Sequence, residues 1–214
     1  GSRRGALLYL WGLACADRMD RDVRVVALCG SLRDQSKTRI ALAAALASAR
    51  EAGARTDLLD LREYDLPAYD PDEPEPEDAA ALCSAVSDAD AVLIGTPNYH
   101  GSYYGPLKNA LDYCGRDEFG GTTVGLLEVA GGEFPTAPLE HLRSVCRTLN
   151  AWTLPIEVAI PSSSSTVEDG AIVDETVAER VAQLGDAAAE FAGVEQYPEL
   201  ADGRHDSLAE AVDD

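Results

Sequence analysis

Ser31, Arg33, Ser36 and Thr38 fall within one short polar stretch, Cys29-Gly30-Ser31-Leu32-Arg33-Asp34-Gln35-Ser36-Lys37-Thr38-Arg39. Hydroxyls and a guanidinium at that spacing can ligate an anion, and the chemistry they suit is phosphate binding. The surroundings sharpen this. An apolar run from Val23 to Leu28 precedes the stretch and reads as a buried parallel strand; an alanine-rich helical pattern follows it. A helix N-terminus has unpaired N–H groups and a partial positive charge, so a strand–loop–helix junction favours an anion. The same residues also fit an ordinary strand-to-helix turn with Ser36 as N-cap. No Gly-Lys-Ser/Thr follows, and Gly30 is the sole glycine of the stretch. That argues against triphosphate hydrolysis and against a glycine-rich dinucleotide turn.

A second stretch, Thr96-Pro97-Asn98-Tyr99-His100-Gly101-Ser102-Tyr103-Tyr104-Gly105-Pro106, is dense in aromatics, glycines and hydrogen-bonding groups. At a strand's carboxyl end it suits a flat heteroaromatic ligand; the plainer alternative is a surface loop whose tyrosines pack on the next helix. Pro106 fits the first position of that helix. A third stretch, Glu128 to Pro135, carries Ala130-Gly131-Gly132. Paired glycines there permit close backbone approach to a ligand edge, or simply a tight turn.

These loops need a frame that brings them together. Apolar runs give strands at Val23–Cys29, Thr56–Leu61, Ala91–Gly95, Thr123–Val129 and Thr153–Ala159. Helical patterns lie at Ser36–Gly53, Asp78–Ser87, Pro106–Cys114, Pro138–Asn150 and Glu175–Phe191, and 162–170 reads as a polar connection. Strict alternation implies an α/β fold: a doubly wound five-stranded parallel sheet, order 2-1-3-4-5, with helices on both faces. The loops after strands 1, 3 and 4 then converge at the switch point beyond the strand ends. The domain is expected over 22–193, between an extension at 1–21 and an acidic tail at 194–214. In the extension, Arg3, Arg4 and the apolar Ala6–Ala16 have the outline of a signal peptide. Alternatively, Gly1-Ser2 is a cloning scar and Met19 the natural start.

The chain has 214 residues, 46% of them hydrophobic, and a net charge of −21 with just two lysines, Lys37 and Lys108. Such an acidic balance argues against nucleic acid and anionic membranes as partners, and suggests a halophilic protein. Five cysteines, no two within ten positions, make neither a disulfide framework nor a zinc pattern; Cys29, Cys83 and Cys146 fit buried thiols, and a reducing cytoplasm is expected. His100, His141 and His205 lack metal-ligand spacing, so no metal is expected.

Two motifs, Gly30-Ser31-Leu32-Arg33-x-x-Ser36 and Pro97-x-Tyr99-x-Gly101-Ser102 continuing to Leu107-Lys108-Asn109-Ala110-Leu111-Asp112, resemble the NADPH-dependent FMN reductase family, flavodoxin-like enzymes that include quinone, azo-dye and chromate reductases. The resemblance covers about 22–190. It implies FMN as cofactor and NADPH or NADH as substrate, with hydride received at flavin N5 and no catalytic side chain. Ser31, Arg33, Ser36 and Thr38 would hold the phosphate; Pro97, Asn98, Tyr99, His100 and Gly101 would line the ring and ribityl chain. Ala130, Gly131 and Gly132 would approach the ring edge. The electron acceptor implied is a quinone, free flavin or similar small molecule; a non-enzymatic flavodoxin-type electron carrier is the alternative. A homodimer or homotetramer is the expected assembly. This chain departs from the family's usual Asn at Thr38, Glu at Asn98 and Asn at His100.

Overall fold

The computed structural model describes residues 22–133 and 137–193. The proposed extension, the acidic tail and Phe134 lie outside the described residues. Valine and leucine runs form the central strands because each strand is buried on both faces, where β-branched and branched apolar side chains pack well. β1 (Arg24–Cys29) leads through a polar loop to α1 (Lys37–Glu51) and β2 (Arg55–Asp60). After α2 (Glu77–Ser87), β3 (Ala91–Tyr99) turns back into the two-residue β4 (Ser102–Tyr103). Next come α3 (Gly105–Tyr113), the single turn α4 (Arg116–Phe119), β5 (Thr123–Val129), α5 (Ala137–Thr148) and β6 (Trp152–Ile160). A one-turn α6 (Ser163–Thr166), the short strands β7 (Val167–Glu168) and β8 (Ala171–Ile172), and α7 (Glu175–Glu190) complete the fold.

The parallel strands are ordered β2-β1-β3-β5-β6, the expected doubly wound order, with β4 antiparallel on β3. Alternate residues split the core in two. Val25, Ala27, Leu93 and Leu127 pack under α1 and α7; Val26, Leu28, Ile94 and Leu126 pack under α2, α3 and α5. α1 turns the stripe Ala41, Leu42, Ala45, Leu46 and Ala49 inward. Its small residues let α7 come close: a Cβ on Gly185 would lie 2.0 Å from the Ala45 carbonyl oxygen. On the edge strand β6, pairing with β5 slips between Val124 and Leu126, where Pro155 has no N–H to donate.

Three expectations are corrected. β3 does not stop at Gly95: Thr96 and Pro97 still pair with Glu128 and Val129, and Asn98 and Tyr99 then fold back on β4. His100 (φ 55°) and Gly101 (φ 77°) both take the left-handed backbone that a two-residue type I′ turn requires. Pro106 is the second residue of its helix, which starts at Gly105. The polar connection at 162–170 is structured, with β7 and β8 forming a hairpin closed by Asp169 (φ 46°) and Gly170 (φ 81°). No helix among the described residues is long and apolar enough to cross a membrane.

Candidate functional site

The carboxyl ends of β1, β3, β5 and β6 open into one cleft of about 810 Å³, within the range of small-molecule sites. Ser31, Arg33, Ser36, Thr38, Pro97, Asn98, Tyr99 and Gly131 line it. The three loops singled out in the sequence therefore meet at the switch point. The remaining expected residues sit alongside. His100 and Gly101 form the exposed tip of the β3–β4 hairpin. Ala130 donates its N–H to Ile160 and accepts from Ser163, both at 2.9 Å, and Gly132 accepts from the Ser162 N–H at 2.9 Å. The backbone of Ala130 and Gly132 thus anchors the loop after β6. A second depression, between α1 and α7, measures about 640 Å³ but is lined largely by alanine and isoleucine and lacks convergent donors.

One end of the cleft is lined by hydroxyls and cations. Ser31, Ser36 and Thr38 are 2%, 1% and 2% exposed, so each hydroxyl is held in a fixed place. Ser36 caps α1 by accepting from the Arg39 N–H at 3.1 Å, a role that does not use its own O–H donor. The capping and anion-binding readings of Ser36 are therefore compatible. Arg33 lies exposed at the lip, and the Lys37 ammonium donates to the Ser163 carbonyl, tying the start of α1 to the loop after β6.

A buried staple holds this loop from behind. Asp60, at the end of β2 and 3% exposed, accepts from Arg62 Nη2 at 2.6 Å, from Arg62 Nε and from Arg39 Nη1 at 3.2 Å. Arg39 also donates to the carbonyls of Arg33 and Asp34. A trans peptide aims its C=O and N–H in opposite directions, so the N–H groups of Asp34 and Gln35 point away from that guanidinium. Burial works against the Asp60 charge. The Arg62 hydrogen bonds and the charges of Arg62 and Arg39 outweigh it and hold the carboxyl below its usual range.

The other end is flatter and less polar. Pro97 and Tyr99 line it, and Tyr99 stacks edge-on against Tyr104 with ring centroids 5.0 Å apart. Behind Asn98 lies a residue without an assigned part in the sequence reading. Glu128 is fully buried, and its Oε2 accepts from Asn98 Nδ2 at 3.1 Å. Burial first, and then the charge of Glu157, push its carboxyl up to about 7; the Asn98 hydrogen bond opposes them.

Hydroxyls and cations at one end of the cleft, continuous with an aromatic wall at the other, are the chemistry that a mononucleotide with a planar ring calls for. The family model described as NADPH-dependent FMN reductase matches residues 23–165. The chain belongs to this FMN reductase family. Curated relatives include an FMN-dependent NADPH-azoreductase of Staphylococcus aureus, 46% identical over 83 residues, a stretch that spans 38% of this chain and 44% of the relative. Among solved structures, an oxidoreductase from Corynebacterium diphtheriae superposes with a TM-score of 0.67 at 21% identity, covering 83% of this chain and all of that one. An apo NADH:FMN oxidoreductase gives 0.67 at 22% identity over 83% and 92% of the two chains. The flavoenzyme NAD(P)H:(acceptor) oxidoreductase of Paracoccus denitrificans gives 0.67 at 25% identity over 79% and 96%.

For an FMN reductase family member, the donor set fits the cofactor. Buried hydroxyls at a helix N-terminus suit the phosphate, and the proline and tyrosine wall suits the ring. Sequence reading missed the loop after β6, although Ser163, Ser164, Val167, Asp169 and Gly170 all line the cleft. Its signal was the Asp169-Gly170 pair, a strong two-residue hairpin marker. Cysteine spacing also hid a contact: the buried thiols of Cys83 and Cys114 lie 3.0 Å apart, bringing α2 against the end of α3.

Proposed function

We propose that this chain is an FMN-dependent NAD(P)H oxidoreductase that passes electrons from a reduced nicotinamide to a quinone, free flavin or similar small acceptor. The observation that carries the reading is the meeting of the 30–38 anion loop, the β3–β4 hairpin and Gly131 in one cleft. Bound FMN would supply the hydride chemistry, which no side chain here replaces. Ser31, Ser36 and Thr38 bind the phosphate through their hydroxyls, and Arg33 adds a charged fork from the lip. Pro97, Asn98 and Tyr99 orient the ring, with His100 and Gly101 shaping the hairpin tip beside it. Gly131 leaves room at the ring edge, and Ala130 and Gly132 fix the loop that borders it. A dimer or tetramer is the assembly expected of the family.

The test is an absorbance spectrum of the purified protein, followed by anoxic titration with NADPH and NADH and steady-state kinetics with a quinone. Flavin absorbance that bleaches on adding nicotinamide, with parallel double-reciprocal lines, is expected. Protein that takes up no FMN refutes the cofactor assignment. FMN-loaded protein that neither nicotinamide reduces refutes the enzymatic one, and intersecting lines refute a shared site for the two substrates.

A further inference from the structure

Glu128 belongs to a strand that should be apolar throughout. It pairs in register with Thr96 of β3 and Ala159 of β6, has no exposed surface, and its Oε1 has no hydrogen-bond partner among the described residues. A buried, half-satisfied carboxyl is destabilising, so its place in the strand calls for a reason. Its satisfied oxygen leads directly to the cleft. Oε2 accepts from Asn98 Nδ2 at 3.1 Å, and Asn98 Oδ1 accepts from the Gly101 N–H at 3.1 Å. The two ends enforce one another. Gly101 offers a donor, so the amide oxygen must face it; the amide nitrogen then needs an acceptor behind it, and Glu128 provides one.

We propose that Glu128 is a positioning residue for the ligand cleft: its carboxyl orients the Asn98 carboxamide, which holds the His100–Gly101 turn in the shape that flanks the cleft. The functional meaning rests on the flavin reading above, while the relay itself is a property of the ligand-free chain. Charged and titratable groups on the neighbouring elements are few. Glu157 of β6 is ion-paired to Arg143 of α5 at 2.7 Å, and His141 of α5 meets the Ser102 hydroxyl of β4 at 3.1 Å. The carboxyl is pushed up to about 7, first by its burial and then by the Glu157 charge, so the relay responds to pH near neutrality. An anionic ligand in the cleft disfavours the carboxylate further, and so binds with proton uptake. FMN affinity then falls as pH rises through this range.

The test uses the Gly101 amide in ¹⁵N-resolved spectra of the ligand-free protein, together with FMN affinity by fluorescence quenching, from about pH 5.5 to 8.5. In wild type the Gly101 resonance should titrate with a midpoint near the carboxyl's value. E128Q presents a carbonyl oxygen to Asn98 at every pH, so it should keep the wild-type affinity at the acid end and lose the titration. E128L removes the acceptor and should lower both Gly101 exchange protection and FMN affinity about tenfold, the loss of one oriented hydrogen bond. Wild-type protection of Gly101 in E128L overturns the proposal. So does a titration that persists in E128Q. A Gly101 amide that titrates as expected in a protein unable to bind FMN leaves the relay standing and removes the cofactor reading.

Discussion

Asp60→Asn removes one charge and almost no volume, so its effect isolates the staple behind the 30–36 loop. The carboxylate accepts from the Arg62 N–H at 3.1 Å, from Arg62 Nε at 3.0 Å, from Arg62 Nη2 at 2.6 Å and from Arg39 Nη1 at 3.2 Å. Asparagine keeps an acceptor for the backbone N–H but turns an NH₂ donor toward a guanidinium. Enclosed hydrogen bonds to charged groups contribute about 1.5–3 kcal/mol each. Here the Arg39 and Arg62 side chains are 22% and 30% exposed, so solvent reduces the loss. A destabilisation of about 2 kcal/mol remains for the Asp60 charge, which lowers Tm by about 4–8 °C in a chain of this size. The pH dependence follows from the sign of the shift. The folded carboxyl titrates below its unfolded value of about 3.9, so its contribution is complete above that pH and is lost as pH falls through the folded value. Thermal melts in molar potassium chloride, at neutral pH and from about pH 5 down to 3, measure both. Asp60→Asn should melt lower at neutral pH and lose part of the acid slope seen in wild type. A neutral Tm equal to wild type, or an identical acid slope, would show that the staple is not holding the loop.

Two further outcomes are expected. Arg33→Ala should weaken FMN binding about tenfold, the loss of one charge-assisted hydrogen bond of about 1.5 kcal/mol; an unchanged Kd by fluorescence titration removes Arg33 from the phosphate site. Melting temperature should rise with potassium chloride between dilute buffer and about 1 M, where the screening length is about 3 Å, because the chain carries a net charge of −21. A flat or falling Tm over that range counts against the halophilic reading.

The strands and their order were legible because each central strand is buried on both faces and so reads as an unbroken apolar run. Val25 to Leu28 and Ala91 to Ile94 are examples. The anion loop was legible because Ser31, Arg33, Ser36 and Thr38 are close in sequence as well as in space. The end of β3 was not. Pro97 punctuates the chain, yet in the fold it continues the β3–β5 pairing, and His100 gives no composition signal for a left-handed turn. Glu128 was illegible for a different reason: its chemistry depends on Asn98, thirty positions away, and on burial that composition does not report. The Cys83–Cys114 contact was hidden likewise, since separation along the chain says nothing about approach in a doubly wound fold.

The close crossing of α1 and α7 bears on what counts as a unit in this protein. The stretch that carries the family signature ends at residue 165, before α7 begins. Yet Val181, Leu184 and Ala188 of α7 are fully buried, and Gly185 fits against the backbone of the helix that opens at the anion loop. The family match and the folded unit therefore end at different places. A fragment trimmed to the signature would leave wet the side of α1 that α7 crosses and the part of that sheet face lying under α7, and a chimera joined at that point would inherit a cleft whose first helix has lost its packing partner. Any transplant of this site into another scaffold has to carry the last helix with it.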